Sequence, residues 1–185
     1  MGQAAMGQPD FLDLYDRSSS WTLTKVRGAA DQLDTPTPCE AWNVRMLMDH
    51  MLETQRFFTG MARGEDVAPP SPTPPPLTGD DPVASFERGR ADLLGAFGQP
   101  GVLERTGPAL GIAFADQLLH GWDLAKATGQ ETAMPDGLAD AAYRTIHPRL
   151  TDEQRAGAFK PALPVSPGAT PQDELLAFSG RDPRA

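Results

Sequence analysis

The chain carries three histidines, His50, His120 and His147, and two of them lie inside stretches whose apolar spacing is helical. A polar ring on the apolar flank of a helix is expensive to bury unless it finds a partner. His120 has one within reach. Asp116 precedes it by four residues, a rotation of about 400°, so on a helix the two side chains stack on one face, one turn apart. A carboxylate and an imidazole so placed can grip one divalent ion, and His50 from a neighbouring helix would supply a third ligand. Two nitrogens and one oxygen leave a zinc-like ion with an open position, the pattern of catalytic rather than structural sites.

The same residues also have plainer readings. Asp116 and His120 read as an i,i+4 ion pair worth about 0.2–0.5 kcal/mol, and His50 as a core histidine with its hydrogen bonds satisfied. Asp123, three residues after His120, is a competing ligand, a partner that orients the ligand histidine, or a surface salt bridge. Asp49 and Glu53 flank His50. Glu53, one turn on, would serve as the carboxylate base of a metal-assisted hydrolase that activates water at the open position. Trp42 and Trp122 read as core or pocket wall. Cys39 sits beside Glu40, whose charge disfavours a thiolate, and reads as buried and inert.

These residues need helices to hold them. Apolar residues at helical spacing predict helices over 9–33, 44–62, 83–97 and 109–128, a shorter one over 136–147, and helical turns at 151–156 and 171–178. Asn43 is placed to cap the second helix, and Gly129 to end the fourth. Residues 63–82 contain seven prolines and are expected to form an extended interhelical loop. Residues 99–108 read as a loop, and 148–185 as an irregular C-terminal extension. No segment alternates as a strand does. The expectation is an all-α four-helix bundle forming one domain over 1–185.

Composition narrows the function further. Gly and Pro make up a fifth of the 185 residues, and the formal net charge is −9. Such a surface repels phosphate backbones and anionic membranes, so neither nucleic acid nor membrane is an expected partner. One cysteine excludes an internal disulfide and a cysteine-rich zinc module. The first residues lack the basic and apolar regions of a secretory signal, and no apolar run reaches about 18 residues. A cytoplasmic protein is the default expectation, with a homodimer left open.

Two segments carry a resemblance. TPCEAWNVRMLMDHM at 37–51 is similar to the TPC-E-W-V-x-x-L-x-x-H segment of the DinB-like superfamily, and ADQLLHGWDLAKATGQ at 115–130 to its H-x-W-D-L-A signature. More narrowly, both resemble the actinobacterial branch related to mycothiol-dependent maleylpyruvate isomerase, and LLAFSGRDP at 175–183 resembles the close of that branch's single-domain, metal-binding members. The resemblance implies an up-down DinB-like bundle with a divalent metal held by His50, Asp116 and His120. Zinc suits two histidines and an aspartate, and nickel, iron or manganese can occupy such a site. The resemblance also implies mycothiol, a low-molecular-weight thiol, as cosubstrate of a transferase or isomerase acting on a small electrophile. Asp123 would orient a ligand histidine, and Trp122 or Trp42 would wall the pocket. A non-catalytic metal-binding stress or regulatory module and a metal-assisted hydrolase are the alternative readings.

Overall fold

The computed structural model describes residues 10–151 and 160–184. Seven helices and no strands occur among them: α1 (Phe11–Ala29), α2 (Val44–Arg63), α3 (Pro82–Phe97), α4 (Val102–Thr106), α5 (Ala109–Ala127), α6 (Leu138–Ile146) and α7 (Pro171–Phe178). The long helices α1, α2, α3 and α5 form an up-down bundle. Helix α1 packs along α5 and α3, α2 packs along α3 and α5, and α6 joins α5 to α7.

Local chemistry sets the ends. Asn43 Oδ1 accepts from the Met46 amide at the start of α2, and Asp81 accepts from Ala84 with Pro82 in the first turn of α3. Thr170 and Asp173 cap each other reciprocally at α7. The serines at 18–20 do not interrupt α1. Ser18 and Ser19 are buried and donate back to the Tyr15 carbonyl, so their hydroxyls are satisfied within the helix. Helix α1 ends at Ala29, four residues short of the predicted limit, in a tight turn closed by the Gln32 amide on the Ala29 carbonyl. The expected loop over 99–108 holds the five-residue helix α4. The turn predicted at 171–178 is α7, and most of the one predicted at 151–156 lies outside the described residues.

The core along α5 divides into two apolar clusters, one around Leu110, Phe114 and Leu118 and one around Leu124, all four fully buried. Tyr15, Leu93, Phe97 and Leu138 close over one end of it, and Val26, Leu47 and Met51 over the other. No helix among the described residues is long and apolar enough to cross a membrane.

Candidate metal centre

His50 stands in the middle of α2, and Asp116, His120 and Asp123 follow one another along α5. The packing of α2 on α5 brings His50, Asp116 and His120 together, with one ligand atom of each within 4.8 Å of the others. His120 Nε2 lies 3.3 Å from Asp116 Oδ1, and His50 Nε2 lies 3.9 Å from the same oxygen. Ligand atoms around a tetrahedral zinc with bonds of about 2.0–2.1 Å stand about 3.3 Å apart. One of the three edges of the triad has that length, a second is slightly open, and the third lies within 4.8 Å.

The three side chains are buried or nearly so, yet His50 Nδ1, His50 Nε2 and Asp116 Oδ2 have no hydrogen-bond partner among the described residues. Buried polar atoms are normally paired. An imidazole with both nitrogens unpaired, beside a carboxylate with a free oxygen, therefore fits a cation ligand set better than a satisfied core.

A second cluster lies behind His120 and is satisfied within itself. Asp123 is fully buried, not at the surface. Its Oδ2 accepts from Arg181 Nη2 at 2.7 Å, faces His120 Nδ1 at 2.9 Å and accepts from the Cys39 thiol at 3.3 Å. Its Oδ1 accepts from Arg181 Nε at 2.9 Å. The bidentate guanidinium fixes the carboxylate, and the carboxylate fixes the His120 ring with Nε2 turned toward Asp116. Cys39, His120 and Asp123 have ligand-like spacing. They differ from the triad in that Asp123 already uses both oxygens.

Charge follows from this geometry. Burial is the largest influence on Asp116 and would push it up, but the charge and hydrogen bonding of His120, joined by His50, together outweigh it and hold the carboxyl well below the usual range. Burial works against the His120 imidazolium too. Asp116 and Asp123 on its two sides nevertheless raise it well above an ordinary histidine. Asp123 is likewise held low against burial, by the Arg181 guanidinium first.

His50 and Asp116 open onto a cavity of about 1020 Å³ lined also by Cys39, Trp42, Trp122, Lys126 and Arg181, with His120 buried behind them. Trp42 lies over His50, with ring centroids 4.7 Å apart and planes tilted by 34°. A sharp turn puts it there: Ala41 has a left-handed backbone with φ of 69°, unusual for a residue with a Cβ. The Thr37 amide and hydroxyl both donate to the Trp42 carbonyl to hold that turn. Cys39 is half-buried at the cavity wall rather than enclosed in the core.

The carboxylates flanking His50 have a different job from the one expected. Asp49 Oδ1 accepts from the amides of Leu77 and Thr78 and from the Thr78 hydroxyl. Glu53 Oε2 accepts from the Ser71 amide. Glu53 is therefore directed at the proline-rich loop and does not line the cavity. Together with the Trp42 indole, which donates to the Pro72 carbonyl, these side chains moor the loop so that Pro70, Ser71 and Pro72 form one wall. Asp49→Ala should release it. Hydrogen exchange at the Leu77 and Thr78 amides is expected to speed up by about tenfold or more, given the strength of hydrogen bonds to a charged acceptor, and unchanged rates would show that the mooring lies elsewhere.

Arg181 has the least visible role in the sequence. The chain after α7 turns back at Gly180, with φ of 81°. A Cβ there would come within 2.9 Å of the Lys160 backbone. That close crossing aims Arg181 at Asp123 and brings Lys160, Pro161 and Leu163 to the cavity. Lys160 pairs with Glu40 across the rim at 2.9 Å.

A family model described as "Mycothiol maleylpyruvate isomerase N-terminal domain" matches residues 18–125. The chain belongs to this family. The match runs from Ser18 within α1 through α2, α3 and α4 to Ala125 of α5, and so contains the triad. Two uncharacterized proteins of Mycobacterium tuberculosis, from strains H37Rv and CDC 1551 / Oshkosh, are each 32% identical to the chain over 175 residues, covering 88% of this chain and 91% of their own. No solved structure matches significantly. Arg181 lies beyond the span of the mycothiol maleylpyruvate isomerase N-terminal domain match, although its carboxylate partner lies within it.

Proposed function

We propose that this protein binds a divalent metal through His50, Asp116 and His120. We further propose that it acts as a mycothiol-dependent transferase or isomerase on a small electrophile. The observation that carries the reading is the convergence of buried, unpartnered ligand atoms on α2 and α5 at the floor of a large cavity. Zinc suits this donor set, and nickel, iron or manganese are the other candidates. A divalent ion held there favours the deprotonated form of a coordinated thiol at neutral pH.

The chain's own residues supply the rest. Asp123 holds His120 by Nδ1 so that Nε2 is the nitrogen presented. Trp42 and Trp122 give the cavity two flat apolar walls, and the moored loop narrows access of water to the triad. The cavity has room for a thiol and a small second reactant side by side. The family description supports mycothiol as that thiol. The hydrolase reading is less well supported, because Glu53, the base it requires, is engaged by Ser71.

Cobalt-substituted protein provides the test. Millimolar mycothiol is expected to change the visible absorption of the bound cobalt, and turnover of a panel of unsaturated and halogenated electrophiles is expected only with mycothiol present. An unchanged spectrum would remove the thiol from the site. Turnover without thiol would select the hydrolase, and metal binding without turnover a non-catalytic module.

A further inference from the structure

Nine buried side-chain polar atoms among the described residues lack a hydrogen-bond partner. Three belong to His50 and Asp116. The other six belong to Tyr15, Thr54, Gln55 and Gln117. Tyr15 and Gln55 lie together near Asp116. Thr54 is one turn after His50 on α2, with Gln55 next to it. Gln117 follows Asp116 on α5 and so points to a different face of the helix, while Tyr15 reaches in from α1 with its hydroxyl toward Gln55 and within electrostatic reach of Asp116.

Polar groups are costly to bury unpaired, and a bundle core is filled more simply by leucine or phenylalanine at such positions. Tyr15 is completely buried, and Gln55 is nearly so. Room is also kept for them. A Cβ on Gly89 of α3 would come 2.0 Å from Gln55 Oε1, so α3 approaches this amide only because residue 89 has no side chain.

We propose that Tyr15 and Gln55 are positioning residues that hold the Asp116 carboxyl from behind, leaving Oδ1 toward His50 and His120. The inference rests on the metal-binding reading above. Neither of them bonds Asp116 Oδ2 directly; the link runs through ordered water, which buried polar groups of this kind recruit. Burial pushes the Tyr15 phenol up, so it remains an O–H donor over the physiological range. A carboxylate gripped in this way loses less freedom when it takes up a cation.

Tyr15→Phe removes one oxygen and keeps the ring. Zinc affinity, measured by competition with a chromophoric chelator, is expected to fall about tenfold, the lower end of the range for groups that orient metal ligands. The thermal midpoint of the metal-free protein should not fall. Gln55→Met is expected to weaken binding in the same direction. In an Asp116→Ala background neither substitution should weaken zinc binding further, because the group they position is gone. Affinity within twofold of wild type for both variants, or an equal loss in the two backgrounds, would overturn the inference. Wild-type protein that binds zinc no better than Asp116→Ala would instead overturn the metal-binding reading, and the positioning role with it.

Discussion

His120→Ala is expected to weaken divalent-metal binding by more than about 100-fold, beyond the range seen when only an orienting neighbour is lost. The ring holds the central place in the site. One nitrogen faces Asp116 at 3.3 Å and the other faces Asp123 at 2.9 Å, so its loss removes a proposed ligand and unties the two carboxylates together. Metal analysis by mass spectrometry after gel filtration, on wild type and variant, reads the effect directly. Stoichiometric metal in the variant would refute the site. The same geometry sets a pH dependence. His120 is raised well above its ordinary value and carries a proton at neutral pH, which an incoming ion must displace. Binding should therefore release about one proton and strengthen as pH rises. Calorimetric heats in buffers of different ionisation enthalpy count that proton. Stability of the metal-free protein has the opposite sign. The contribution of a histidine with a raised folded pKa is complete below its unfolded value of about 6.5 and is lost as pH rises through the folded value.

Arg181→Ala is expected to cost about 3–5 kcal/mol, because it leaves the carboxylate of Asp123 buried without its guanidinium. Both partners are almost inaccessible, with side-chain exposures of 8% and 0%. Two hydrogen bonds, of 2.7 and 2.9 Å, are lost at once. For a chain of this size the loss corresponds to a fall in Tm of about 6–20 °C. Arg184→Ala is the matched control. That arginine pairs with Asp182 at 3.5 Å in the open, with 80% of its side chain exposed, and such pairs contribute little. Thermal unfolding followed by circular dichroism should separate the two variants widely. Equal midpoints would show that the Asp123 carboxylate finds another partner.

The residues legible from sequence are those whose relation is local. Asp116 and His120 lie one helical turn apart, and the apolar spacing around them sets the helix that joins them. His50 was reached in the same way, from the periodicity of α2. The anchors of the proline-rich loop were not legible. Asp49 and Glu53 look like any acidic residues beside a histidine until the loop folds back and presents its amides. Asp123 had three readings at i+3 from His120. What decides among them is an arginine 58 residues away, from a region that composition marks as irregular. Arg181 was missed as a site residue for the same reason, although it sits inside the LLAFSGRDP segment that carried part of the resemblance. Prolines and glycines hide periodicity, and nothing periodic announces a close backbone crossing such as that of Lys160 over Gly180.

The 58-residue separation of Asp123 from Arg181 has a consequence during synthesis. At about 5–20 residues per second, a nascent chain waits roughly 3–12 s between translating the aspartate and translating its guanidinium. Through that interval the later part of α5 carries a carboxylate it cannot bury alone. The ribosome-bound chain should therefore keep this end of the helix hydrated and unlatched, and final docking should follow the arrival of the arginine.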